Sequence, residues 1–197
     1  MHNKPAISSV PIHDILQNRW SPRSFDADKS IDPQTLTALL EAARWAPSCF
    51  NDQPWRFLVC NKTTHLSAWE KLLSTLGEKN QLWARNAPVL ILSMAMHEFG
   101  HNGKPNRWSM YDAGAASVSL CLQATAMGLA THQMGGFDAS QCKQSFDLPD
   151  ACNPMSVIAV GHRAAAELLP DDLRETEFKA RSRKPLNECF YFGSFNA

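Results

Sequence analysis

The stretch DAGAASVSLCLQATAMGLATHQMGGFD, Asp112–Asp138, decides the fold. Its first part, Asp112–Gly128, is apolar or small on nearly every side. A helix of that kind lies inside a core or across a subunit interface. Its Ala, Gly and Ser residues let another backbone come close. The next residues, from Leu129 to Met134, read as a strand running into Gly135 and Gly136. Two glycines at a strand end let the backbone approach a flat ligand tightly.

Further strands flank this unit. PVLILSMAM, Pro88–Met96, is a continuous apolar run, as in a central strand. WRFLVCN, Trp55–Asn61, and MSVIAVGH, Met155–His162, read as two more. Helices are expected over Ile12–Asn18, over the stretch from Ser30 to Pro47, and over Thr64–Leu76. In the second of these, Asp32 caps, Pro33 suits the first turn, and Leu36, Leu39, Leu40 and Ala43 share one face. Helices and strands mix without strict alternation. That gives an α+β or α/β protein rather than a doubly wound sheet.

The 197 residues predict a single domain, residues 1–197, that buries roughly 70% of its unfolded surface. Lys plus Arg and Asp plus Glu both number 19, which argues against nucleic acid or a membrane surface as partner. Six cysteines form no C-x-x-C pair, so they read as thiols in a reducing compartment. The N-terminus has no signal-type apolar core, and the longest apolar run is too short for a bilayer. A cytoplasmic protein is expected.

One motif points towards metal. HEFGH, His97–His101, matches H-E-x-x-H, which on a helix binds zinc and would make this a hydrolase. The context opposes it. Gly103 and Pro105 follow at once, Lys104 stands where the longer motif has glycine, and Arg107 where it has a third histidine. No metal site is expected.

Four other stretches carry the functional reading. NRWSPRSFD, Asn18–Asp26, alternates Arg19, Ser21 and Arg23, which fall on one side of an extended chain. Forked guanidinium groups and a hydroxyl suit a phosphate. KARSRKPL, Lys179–Leu186, is a second basic cluster. APSCFNDQPWRFLV, Ala46–Val59, offers Asn51 and Gln53, whose paired donors and acceptors can read a heterocycle edge. THQMGGFD, Thr131–Asp138, is the fourth. Together, and in this order, they resemble the nitroreductase family of flavoproteins over about Ile12–Leu186.

The resemblance implies an α+β fold with a mixed sheet wrapped by helices. It implies an intertwined homodimer with FMN at the subunit interface, and a C-terminal tail packing on the partner subunit. Arg19 and Ser21 match positions that hold the FMN phosphate, Trp20 fills the position between them with a backbone contact, and Arg23 matches a basic residue at the ribityl chain and the N1/O2 end. Asn51 matches a ligand of the pyrimidine edge. Gln133 and Met134 match the ring face, Gly135 and Gly136 the N5 and O4 side, and Arg181 and Arg183 a basic pair closing on the phosphate. Gly135 stands where some members carry an acidic residue, and Cys49 where many have serine. The implied activity is ping-pong hydride transfer from NADPH or NADH, through flavin N5, to a nitroaromatic, quinone, activated alkene or aldehyde. The flavin carries the chemistry, so no catalytic side chain is assigned. Phe50, His97, Phe99, His101, Trp108 and Tyr111 are candidates for the substrate pocket. Flavin binding without turnover and a phosphate-binding module are the other readings.

Overall fold

Strand β2 (Val89–Met96) is buried over all but its last residue, which places it inside the sheet. The computed structural model describes residues 3–195. In chain order come α1 (Asp14–Asn18), α2 (Pro33–Arg44), β1 (Trp55–Asn61), α3 (Leu66–Ser74), α4 (Glu78–Ala84), β2, α5 (Ser109–Ala126), β3 (Ala130–Met134), α6 (Ala139–Ser145), β4 (Cys152–Gly161) and α7 (Asp171–Phe178).

The sheet runs β1-β2-β4-β3. Trp55 pairs with Ala95, Ala95 with Asn153, and Met134 with Val157. Every ladder is antiparallel, so the mixed sheet expected from the resemblance is corrected for the described residues. The reason is topological. β2 and β3, joined through α5, run parallel to each other, but β4 inserts between them in the opposite sense.

Alternation along β2 sends its side chains to two cores. Val89, Ile91 and Ala95 meet Leu39 and Ala43 of α2 and Ala116 and Leu120 of α5. Leu90, Leu92 and Met94 meet Trp69, Leu72, Trp83 and Cys142 on the other face. The cap of α2 forms as its sequence dictates, with Asp32 accepting from the Thr35 N–H at 2.8 Å. α4, α6 and α7 were not foreseen: at seven, seven and eight residues they are too short to show a helical period. α5 buries Ala113, Ala116, Leu120 and Ala124 but leaves Tyr111, Gly114 and Val118 bare on its other side. Among the described residues no helix is long and apolar enough to cross a membrane.

The loop Asn18–Asp26 is fastened to the β3 edge of this sheet. Phe25 is 2% exposed and stacks on Trp83, with centroids 6.0 Å apart. Burying such a ring contributes about 1.5–3 kcal/mol. Ser24 Oγ donates to Ala165 O at 2.6 Å, and the Asp26 N–H to His162 O at 2.9 Å. His132, on β3, packs on Trp83 at 4.6 Å and holds the Pro22 carbonyl from Nδ1 at 3.0 Å. Burial pushes the His132 pKa down from 6.5 to about 4, against the opposing pull of the Pro22 carbonyl.

Two outcomes follow. A Cβ at Gly161 would lie 2.7 Å from Pro88 Cδ and 2.9 Å from Phe25 Cδ1, both parts of rigid rings. Gly161→Ala should cost about 1–3 kcal/mol, read as a lower denaturant midpoint with the fold kept. The unfolded chain protonates His132 near pH 6.5 and the folded one only near pH 4. The neutral ring's contribution is therefore complete above pH 6.5, is lost as pH falls towards 4, and changes no further below that. The loss is worth about 3 kcal/mol. Urea midpoints of wild type and His132→Gln across this window should converge at the acid end; parallel curves would count against it.

Candidate functional site

Three segments meet beside α1. Arg19, at its C-terminal end, lines a groove of about 260 Å³ with Arg181, Ser182 and Arg183 from the C-terminal tail. Ala6, Ile7, Ile12 and Leu16 form its apolar wall. Arg181 ties the three segments together, because its Nη1 donates to Lys4 O at 2.8 Å and Gln17 O at 2.9 Å. Burial and the neighbouring Arg19 and Arg183 charges push the Arg181 pKa down. Among the described residues no carboxylate pairs with Arg19, Arg23, Arg181 or Arg183.

One carboxylate is close, but it serves the backbone. Glu177, only 3% exposed, accepts from the Arg23 N–H at 3.0 Å and the Ser24 N–H at 3.4 Å. Lys4 completes the corner. Its Nζ donates to Glu177 O at 2.8 Å and lies over the Trp20 ring at 4.8 Å. Burial, with the Arg23 and Arg181 charges, lowers its pKa against the pull of Glu177. Neither Lys4 nor Glu177 was visible as a site residue in the sequence. A lone lysine near the terminus and a glutamate in a polar helix carry no signal.

The structure sorts the sequence-derived residues into three groups. Arg19, Arg23, Arg181 and Arg183 converge on this corner, while the Ser21 backbone faces His132. Trp20 lies outside the arginine groove: its ring carries Lys4 and lines a separate polar cavity with Asn3, Asn18 and Pro22. That is the alternation expected of extended chain.

The second group lies on β3, an edge strand, whose His132 touches the loop at Pro22. Gly135 is three residues on, about 10 Å along the strand direction. Gly77 N–H and Asn80 Nδ2 both donate to the Gly136 carbonyl, at 3.0 and 3.1 Å, which fixes the turn from behind. A Cβ at Gly135 would meet nothing within 4 Å, so open space faces it. Gln133 is exposed, whereas the Met134 side chain is 2% exposed in the core. Met134 therefore offers a ligand its backbone and not its side chain, a correction to a ring-face role.

The third group is elsewhere. Asn51 sits before β1, at the opposite edge of the sheet from β3. Three strand spacings, about 14 Å, separate the two edges. One chain does not bring Asn51 to Gly135. Phe50, Phe99 and His101 cluster beside Asn51, and Trp108 and Tyr111 stand exposed at the start of α5. HEFGH forms no helix; its Glu98 bridges to Pro105. Among the described residues no three His, Cys, Asp or Glu side chains gather where they could hold a metal ion. The described cysteines are free thiols, and burial pushes Cys60 up to about 11.

The donor set suits FMN: unpaired guanidinium groups for a phosphate, then an edge strand ending in an open glycine for a flat ring. The comparisons agree in kind. An oxidoreductase containing FMN has a crystal structure that matches with a TM-score of 0.92 and 36% identity, over 100% of this chain and 99% of that one. The nitroreductase family protein of Streptococcus pneumoniae TIGR4 matches with a TM-score of 0.71 at 20% identity, over 90% of this chain and 98% of that one, and so speaks for the fold alone. The major NAD(P)H-flavin oxidoreductase of Aliivibrio fischeri is 44% identical over 70 residues, 36% of this chain and 32% of that one. The sequence pattern of the nitroreductase family fits residues 16–162, and the chain belongs to that family.

Proposed function

We propose that the protein is an FMN-dependent oxidoreductase that passes hydride from NADPH or NADH to an electron-poor small molecule such as a nitroaromatic, quinone, activated alkene or aldehyde. The observation that carries this is the corner of cations without carboxylate partners, opening on the same sheet edge as Gly135 and Gly136. Bound FMN supplies reversible hydride transfer at its N5.

The chain supplies the rest. Arg19, Arg181 and Arg183 hold the phosphate, with Ser21 as a hydroxyl donor. Lys4 keeps a fourth positive charge beside them, held off by the Glu177 and Thr176 carbonyls. Arg23, next along the loop towards His132, would add a positive charge beside the bound group. The backbone of Gly135 and Gly136 would hold the ring edge, and the open space at Gly135 leaves room for it. Reductant and acceptor use the same open face in turn, which gives ping-pong kinetics.

Asn51 supports a homodimer. A single chain holds it on the wrong sheet edge, so a second copy supplies it to the first copy's ring. The bare face of α5, with Tyr111 78% and Val118 44% exposed, gives that copy an apolar surface to cover. The exposed Phe190, Phe192 and Phe195 give the tail a reason to wrap it. Free cysteines fit a reducing cytoplasm.

The purified protein should carry flavin absorbance that bleaches without oxygen on adding NADPH or NADH. Arg19→Ala with Arg183→Ala should weaken FMN binding roughly 100-fold or more, from two charge-assisted contacts of about 1.5–3 kcal/mol each. Equilibrium titration of FMN fluorescence reads this directly. Unchanged affinity would reject the phosphate assignment, and no flavin uptake by the wild type would reject the function.

A further inference from the structure

Two neighbouring features have no part in holding the phosphate: the turn Phe50–Gln53 and the loop that carries HEFGH. Phe50, Asn51 and Gln53 all take left-handed backbone, at φ 55°, 55° and 51°. Residues with a Cβ rarely do so, and bulky ones least of all. Such strain persists only where the surroundings impose it.

The surroundings are visible. The Asn51 N–H donates to Ser48 O at 3.0 Å, and the Gln53 N–H to Ser48 Oγ at 3.0 Å. The Cys49 N–H donates to the buried carboxylate of Asp112 at 3.0 Å. Asp52 reaches the other way, and its side chain is only 6% exposed. It accepts from the Gly100 N–H at 2.9 Å and from Asn106 Nδ2 at 3.2 Å, with His101 Nδ1 at 3.8 Å. The HEFGH loop is thereby latched to the turn by one carboxylate.

The product of this arrangement is an exposed ring in a fixed place. Phe50 is 83% exposed. Phe99 lies 6.0 Å away at 74°, and His101 6.1 Å away at 64°. These steep contacts steady the ring without stacking over it. A fixed aromatic face next to Asn51 stacks on a flat ring, and an electron-poor one best, because the face of a phenyl ring is negative.

We infer that Phe50 selects planar, electron-poor ring acceptors over acyclic ones, and that Asp52 is the positioning residue that holds it by latching the HEFGH loop. This rests on the flavin reading above. Selection works through contact of the acceptor with the Phe50 face. Asp52 touches no reactant and acts only through the two loops.

The test uses the flavin-loaded protein with 1,4-benzoquinone and an acyclic α,β-unsaturated aldehyde as acceptors. Phe50→Leu and Asp52→Ala should each lower the ratio of quinone to aldehyde kcat/KM by about tenfold, mainly through KM for the quinone. Asp52→Asn, which keeps an acceptor oxygen for Gly100, should recover most of that ratio. A second readout needs neither flavin nor turnover. Trypsin cleavage after the exposed Arg107, next to the Asn106 that Asp52 holds, should accelerate about tenfold in Asp52→Ala and stay near the wild-type rate in Asp52→Asn. An unchanged acceptor ratio in Phe50→Leu, or equal losses for both acceptors with a weakened dimer, would make Phe50 a subunit contact and overturn the selection. Unchanged Arg107 cleavage in Asp52→Ala would overturn the latch. A wild type that takes up no flavin would refute the function instead, while the cleavage result would still decide the latch.

Discussion

The molecule turns on a repulsion. Arg19, Arg181 and Arg183 are drawn together with no carboxylate paired to them among the described residues, and Lys4, which Glu177 partly offsets, and Arg23 add to the same field. Like charges at short range oppose the compact state. Something must hold them, and Arg181 supplies part of it by donating to two carbonyls from different segments. Hydrogen bonds to carbonyls keep the guanidinium in place without neutralising it. The corner is left complementary to a dianion, which would relieve the repulsion and bind the N-terminal strap, α1 and the tail at one point.

The same logic explains the buried carboxylates. Glu177, Asp112 and Asp52 lie in or beside the functional loops, and each accepts from backbone N–H groups. A buried carboxylate without hydrogen bonds is costly, and one that accepts from amides is stable and rigidifying. Anions fix the backbone of these loops while the arginines stay available to a ligand. Had Glu177 paired with Arg23 through its side chain, the phosphate corner would have lost a cation and the loop its anchor.

Much of this was legible in the sequence. α2 shows its cap, its proline and its apolar face. β2 and α5 are long enough for their patterns to be unambiguous, and the basic loop and the glycine pair stand out locally. What was hidden depends on tertiary placement. Lys4 joins the site through contacts across more than 170 positions, with Arg181 on its carbonyl and its own Nζ on the Glu177 carbonyl. The antiparallel sense of every ladder comes from β4 inserting between β2 and β3, a choice that no strand encodes in its own residues. Met134 follows the strand alternation inward, so its neighbour Gln133 is the exposed one. The short α4, α6 and α7 form because the sheet gives them a surface, since helices of that length are marginal alone.

The position of Asn51 then sets a limit on what one chain can be. Its turn is braced from both sides, by Asp112 behind and Asp52 in front, and three of its residues hold left-handed backbone costing of order 1–3 kcal/mol each where unfavourable. A turn so tightly held does not swing some 14 Å across a sheet to meet Gly135. On the proposed flavin reading, flexibility does not reconcile the two halves of the site, and a second subunit would. The bare face of α5 and the aromatic tail would serve that requirement. The chain folds its cationic corner alone, and under the proposed function the edge that carries Asn51 would be lent to a neighbour.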